Sequence, residues 1–479
     1  MTPAQADLLA ELATVLPASA IVTDRALIAP WETDWRRRFS GTAPALLAPS
    51  SAAEVQAIVR AAGRHRVPLV AQGGNSSMVG GATPSSTGES VLLSLRRMNR
   101  IRRLDAEAGL AIVEAGVILQ HLHDAALAKG TRFPLTLGAR GNATVGGLVS
   151  TNAGGTQVLR FGTMRSLTLG VEAVLADGSL HDGLAALPKD NRGYDLDQLL
   201  VGAEGTLGIV TAATLRLVPA AGSRTVAWAG VADPQDGLAL LRRFQRASDA
   251  VESFEIIPAG TLAAALAHLP DARAPLADPH PWHLLIEATA PLGAEPPLAM
   301  VEQVLAAAIC DGLVADATIA ASEGQADAFW RIRDSLSDAE RVRGPAAQHD
   351  IAVPVKAMPR FMVDAAIACE ARFPGTHASG FGHLGDGNIH FHVRAPAHTD
   401  PARWYAEDAP VVSGFVHDLV TAAGGTISAE HGIGQMKRDE LARLLPAGDL
   451  AAMRAIKRAL DPHGLFNPGK LLAPDPSGP

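Results

Sequence analysis

Two glycine-rich stretches constrain this chain more than anything else in its sequence. The first, GGNSSMVGGATP, carries Gly73, Gly74, Gly80 and Gly81 directly after the apolar run PLVAQ (68–72). The second runs through 137–165 and carries Gly138, Gly141, Gly146, Gly147, Gly154 and Gly155. Glycine permits backbone conformations and close approaches that a Cβ forbids. A run of unobstructed N–H groups can converge on a single anion. One such stretch alone reads equally well as a flexible surface loop. Two of them, each beside strand-like segments, point to backbone lying against a bound ligand. Neither is GxGxxG opening a helix within a βαβ unit, nor GxxxxGK[ST], so dinucleotide-fold and Walker readings fail on context.

The segments around these loops alternate between strand and helix. LLAP (46–49) reads as a strand, and Ser51 caps a helix predicted over about 53–64, with Glu54 in its first turn. VLLSL (91–95) and AIVEAG (111–116) are strands, and a helix is expected over about 117–129. LGVEAVLADGSL (169–180) predicts two strands joined at Asp177-Gly178. GIVTAATLRLVP (208–219) is another strand. Beyond about 220 the character changes. Strand-like TVAWAGV, FEIIP, HLLIEAT and IHFHV are separated by Ala-rich helical stretches near 233–249, 295–311 and 355–372. That pattern predicts an antiparallel sheet backed by helices. The expected division is 1–220, 221–425 and a small helical region, 426–479, whose last six residues, PDPSGP, read as disordered.

Composition narrows the function classes. The chain has 479 residues, 48% hydrophobic and 19% charged, which is a globular balance with ample length for a large cofactor. Aromatics are 4%, too few for a base-stacking platform, and the net charge of −8 argues against a general nucleic-acid or anionic-membrane binder. Two cysteines, Cys310 and Cys369, exclude a disulfide scaffold and an iron–sulfur cluster on this chain; both read as packing residues. The first residues lack a basic start followed by an apolar core, and no apolar run is long enough to span a membrane. The expected location is the cytoplasm.

Three longer motifs carry a resemblance. VAQGGNSSMVGGATP, TVGGLVSTNAGGTQVLRFGTMRSLTLGVEAVLADG and NRGYDLDQLLVGAEGTLGIVTAATLRL resemble the FAD-binding domain of the vanillyl-alcohol oxidase / p-cresol methylhydroxylase flavoproteins, in particular their D-2-hydroxyacid dehydrogenase branch. The similarity runs from about residue 30 to 472. It implies an α+β fold: a two-subdomain FAD-binding domain, an α+β substrate (cap) domain with an antiparallel sheet, and a small helical C-terminal region. By the resemblance, Gln72, Gly73, Gly74, Asn75, Ser76, Ser77 and Gly80 wrap the FAD pyrophosphate. Leu137, Gly138, Asn142, Gly146, Gly147, Thr151, Asn152 and Gly154 line the flavin and its ribityl chain. Glu204, Gly208 and Ile209 hold the adenine–ribose side, and Asn467 joins the cofactor set. Relatives with covalent flavin often place a histidine where Asn75 stands, so noncovalent FAD is expected.

HLGDGNIHFH (383–392) sets His383 and His390 across a Gly-Asp-Gly turn, and SAEHGIG (428–434) sets Glu430 beside His431. A histidine pair of this kind can be purely structural; two histidines with a carboxylate can equally form an open divalent site. The resemblance implies that His383, His390 and Glu430 bind zinc or manganese and that His431 is the catalytic base. A metal on the hydroxyl and carboxylate oxygens of a 2-hydroxyacid would lower the hydroxyl pKa. An imidazole of near-neutral pKa then suits proton removal. Asn388 and His392 read either as further substrate contacts or as strand residues facing solvent. FWRIRDSLSDAERVRG (329–344) reads as one amphipathic helix with a basic face. The D-2-hydroxyglutarate group holds the distal carboxylate with an arginine at the place of Arg333 and a hydroxyl at Ser337. Its lysine corresponds to Gln348, a departure that weakens dicarboxylate recognition. The expected substrate is therefore D-2-hydroxyglutarate; the alternatives are D-lactate or glycolate, and a non-catalytic flavin-binding subunit. An external electron acceptor, by analogy electron-transferring flavoprotein, and a homodimer complete the expectations.

Overall fold

The structure, a computed structural model, describes residues 1–187 and 189–473. The expected disordered tail, 474–479, lies outside the described residues. The chain folds as two compact units. One comprises Met1–Gly154, Thr163–Pro219 and the segment from Glu430; the other comprises Gly155–Gly162 and Ala220–Ala429. The segment 426–479 expected as a separate region therefore splits at Glu430, and its larger part belongs to the first unit.

In the first unit, strands Leu46–Leu47, Val91–Ser94 and Leu69–Gln72 pair in parallel, with Ile21–Val22 antiparallel at one edge. Helix Ala52–His65 is capped as the sequence predicts, Ser51 accepting from the Glu54 amide at 3.2 Å. Its Val55, Ile58 and Val59 are fully buried against Leu69 and Val91. Burying such side chains stabilises by about 1.5–3 kcal/mol each. A second sheet, antiparallel and five-stranded, runs Ile101–Asp105, Leu110–Glu114, Ile209–Arg216, Thr168–Val174, Leu180–Asp182. Its last two strands turn at Asp177-Gly178, where Gly178 has φ +78°. The C-terminal segment returns to the first sheet: the Leu69 amide donates to the Leu465 carbonyl and the Asn467 amide to the Leu69 carbonyl, both at 2.8 Å.

The second unit is a seven-stranded sheet in the order Asp316–Ile319, Ala221–Val231, Trp282–Pro291, Val251–Pro258, His377–His383, Asn388–Arg394, Ala346–Ala352. Every neighbouring pair is antiparallel. Strand residues alternate between faces. On one face Ala227, Phe254, Ile256, Leu284, Ile389 and Phe391 pack under helices Pro234–Ala247, Leu298–Cys310, Met358–Arg372 and Ala409–Ala422. On the other, Trp228, Ile257, Leu285 and Phe381 pack under Ala259–His268, Glu323–Asp334 and Leu336–Val342. The single helix expected over 329–344 is thus two, broken at Ser335, whose hydroxyl bonds back to the Ile332 carbonyl. Cys369 is buried, as expected, whereas Cys310, the last residue of its helix, is exposed. Among the described residues no helix is long and apolar enough to cross a membrane.

Candidate functional site

The first unit holds a cavity of about 550 Å³. Both glycine-rich stretches line it, from Gln72 to Gly81 and from Leu137 to Gly154, together with Glu204, Gly208 and Ile209. Glu430 and His431, from the C-terminal segment, are on the same wall. Three of the expected cofactor residues do not line it. Gly80, at φ +68°, is needed because a Cβ there would meet the Phe39 ring at 2.8 Å. Asn152 caps the helix Val145–Thr151 in a left-handed conformation, and its side chain accepts from the Arg165 amide. Asn467 lies buried behind the wall, donating to the Gly81 and Glu204 carbonyls at 2.9 and 2.7 Å. Trp35, Ala115 and Thr144 line the cavity and were not anticipated. Thr144, two residues before Gly146 in the same motif, was the legible one.

The glycines serve two different ends. A Cβ on Gly74 would sit 1.8 Å from the Asn142 carbonyl oxygen, and one on Gly73 would sit 2.1 Å from the Thr144 hydroxyl. These two glycines let the first stretch press against the second. Gly147 differs: a Cβ there would meet only the Thr144 hydroxyl, at 3.6 Å. A longer side chain at Gly147 would enter the cavity rather than strike protein. Two buried polar atoms on the lining, Gln72 Oε1 and Thr144 Oγ1, have no protein partner. A cavity of this size, walled by small residues and backbone and with unspent polar atoms, fits a large flat cofactor with polar appendages. Asn75, where a covalent attachment would be, has φ +53° and donates to the Thr33 carbonyl at 2.9 Å.

Glu204 is more committed than its sequence role implied. It is buried and left-handed, at φ +52°. Its Oε1 accepts from the Ile433 amide at 2.7 Å and its Oε2 from the Gly434 amide at 2.8 Å. The carboxylate therefore holds the turn that immediately follows Glu430 and His431. Burial pushes its pKa up; the two amides and Lys437 oppose that shift.

In the second unit, sheet register gathers polar groups on one face. Glu255 pairs with His383, His383 with Asn388, His390 with Phe381 and Asp350, and His392 with Gln348. A ring nitrogen of His383 lies within 4.8 Å of one on His390, and the ring centroids are 5.7 Å apart. His383 Nδ1 is 2.6 Å from Glu255 Oε1. Burial alone would push the His383 imidazole down, but Glu255 outweighs it and raises the pKa to about 9. Burial likewise opposes Glu255, yet Arg333 and His383 hold its carboxyl below the usual range. Arg333 Nε and Nη2 contact Glu255 Oε2 at 2.9 and 2.8 Å. Ser337, expected to act with Arg333, is exposed on the following short helix. Asn388 and His392 are both buried, not solvent-facing; Asn388 donates to Asp350 and to the Ile351 carbonyl. Gln348 is half-buried on the edge strand. Glu255 was not anticipated; its one signal was an acid inside the apolar strand run ESFEIIP.

Two family profiles match the chain. An FAD binding domain covers residues 43–183, and the C-terminal domain of FAD linked oxidases covers 221–471. D-2-hydroxyglutarate dehydrogenase from Xanthomonas citri pv. viticola is 36% identical over 460 residues, 96% of each chain. The mitochondrial D-2-hydroxyglutarate dehydrogenase of Arabidopsis thaliana is 34% identical over 96% of this chain and 80% of its own length. Among solved structures, substrate-bound p-cresol methylhydroxylase superposes with a TM-score of 0.75 at 17% identity, covering 98% of this chain and 97% of that one. The 4-ethylphenol oxidase of Gulosibacter chungangensis gives 0.70 at 20% identity, with the same coverage. At such identity these two share the fold alone.

Proposed function

Because the chain belongs to the FAD-linked D-2-hydroxyacid dehydrogenase branch of the vanillyl-alcohol oxidase / p-cresol methylhydroxylase flavoproteins, we propose that it oxidises D-2-hydroxyglutarate to 2-oxoglutarate. The observation that carries this reading is the position of Glu430 and His431 on the wall of the glycine-lined cavity. When bound there, FAD supplies the acceptor for the two electrons that leave C2. A divalent ion on His383, His390 and Glu430, zinc or manganese, would supply Lewis acidity toward the hydroxyl and carboxylate oxygens. His383 and His390 fit such an ion: two imidazoles with neighbouring ring nitrogens on one sheet face.

His431 takes the proton of the C2 hydroxyl in this reading. Arg333 and Ser337 hold the distal carboxylate, with Gln348 supplying a neutral contact where relatives of the resemblance have lysine. Asn388 and His392 orient the remainder of the substrate. Release of electrons to an external acceptor, with electron-transferring flavoprotein the leading class, and a cytoplasmic homodimer belong to the same proposal. The test is anaerobic mixing of the yellow protein with D-2-hydroxyglutarate, D-lactate and glycolate. Flavin bleaching by D-2-hydroxyglutarate at the lowest concentration is the expected result. Bleaching led by D-lactate or glycolate would move the assignment to the alternative that Gln348 favours. No bleaching by any of the three would leave only a non-catalytic flavin protein.

A further inference from the structure

Glu255 has no part in the chemistry outlined above, yet it is among the most deeply buried charges in the second unit, at 1% exposure. It stands in the middle of the sheet, on strand Val251–Pro258, directly opposite His383 in register. A carboxylate buried this far is costly unless each oxygen is satisfied. Here each is. Oε1 lies 2.6 Å from His383 Nδ1, and Oε2 takes Nε and Nη2 of Arg333. A carboxylate can only accept, so Nδ1 of His383 must be the donor. That leaves Nε2 as the nitrogen able to present a lone pair. Arg333 Nη2 is 3.2 and 3.1 Å from the two ring nitrogens. Such near-equal distances set the guanidinium against the ring as a whole rather than on one lone pair, so it does not reverse this assignment.

We propose that Glu255 is a positioning residue for the metal centre: it fixes His383 with Nδ1 protonated and Nε2 directed at the ion, and Arg333 balances its charge. The inference rests on the metal reading given above and deepens it by naming what orients one ligand. Metal-bound histidines commonly donate their other ring N–H to a carboxylate, and loss of that partner costs about 10- to 100-fold in metal affinity.

The test uses the full-length flavin-loaded protein, stripped with chelator and titrated with zinc alone against a chromophoric competitor. Glu255→Gln keeps the shape but offers the imidazole an amide that can donate as well as accept. Its zinc Kd should rise about 10- to 100-fold, with flavin content and unfolding midpoint near those of the unchanged protein. An unchanged Kd in folded Glu255→Gln would overturn the inference. Should that variant fail to fold because Arg333 is left uncompensated, the double variant Glu255→Leu/Arg333→Leu removes both charges together. It is expected to fold, retain FAD and show the same loss of affinity; tight zinc binding by it would equally overturn the inference. His390→Ala separates the two claims. If the unchanged protein binds zinc no more tightly than His390→Ala does, the metal reading itself fails and takes this inference with it.

Discussion

Replacing Glu204 by glutamine isolates what holds the turn after His431. The carboxylate accepts one backbone amide on each oxygen, Ile433 at 2.7 Å and Gly434 at 2.8 Å. Glutamine retains one acceptor and turns an NH2 group toward the other amide, a donor facing a donor. A hydrogen bond to a charged group contributes about 1.5–3 kcal/mol. At about 1.4 kcal/mol per factor of ten, opening of the turn should rise about 10- to 150-fold. Global stability should change much less. Burial already pushes the Glu204 pKa up, so the substitution also removes the cost of a buried charge. The assay is amide hydrogen exchange of a peptide covering 430–434, beside kcat and the thermal midpoint. We expect faster exchange confined to that peptide, a lower kcat and a midpoint within a few degrees. Unchanged protection at Ile433 and Gly434 would refute the reasoning. So would faster exchange spread evenly through the first unit, because the carboxylate would then support the fold rather than the turn.

The two kinds of glycine should separate experimentally: Gly147→Leu is expected to fold but hold little FAD, whereas Gly74→Ala, driven against the Asn142 carbonyl, should yield little folded protein; absorbance at 450 nm against circular dichroism would decide. Acid precipitation should release all yellow colour to the supernatant, and colour left in the pellet would contradict the role given to Asn75. Gln348→Lys should lower the KM for D-2-hydroxyglutarate by about 10- to 150-fold, the worth of one charge-assisted bond, and leave D-lactate turnover nearly unchanged. Burial and the neighbouring His280 push His283 down to about 4 from an ordinary 6.5. Its stabilising effect is therefore full above pH 6.5 and lost as pH falls toward 4, amounting to about 3 kcal/mol. Urea unfolding of His283→Gln, which can still accept from Trp228 Nε1, should show a shallower pH dependence over that window; an identical slope would exclude His283 as its source.

Local chemistry made much of this legible. The Ser51 cap, the Asp177-Gly178 turn and the glycine-rich loops are all short-range signals, and each is found where the sequence places it. What the sequence hides is produced by sheet order. Strand Val251–Pro258 pairs with His377–His383, more than a hundred positions later, and only that pairing sets Glu255 beside His383. Likewise His392 alternates with apolar residues as a solvent-facing residue would, yet helices cover both faces of its sheet and bury it. The divided helix at Ser335 escaped because apolar periodicity continues across the break, through Ile332, Leu336 and Ala339. Gly73 and Gly74 line the cavity as expected, but their second task, pressing against the other stretch, is hidden because a sequence does not reveal which backbone lies opposite.

The return of the C-terminal segment to the first sheet has a consequence for biosynthesis. Asn467 reaches Gly81 across 386 positions of chain. During translation, strand Leu69–Gln72 emerges long before Leu465 and Asn467, the partners it waits for. Until then one flank of that strand is an unpaired edge, open to other partners. A product terminated before Glu430 would lack this flank, His431 and the amides that occupy Glu204 at one stroke. The cofactor cavity is thus complete only after Glu430 and His431 have been made, so a polypeptide truncated before Glu430 should neither retain flavin nor turn over substrate.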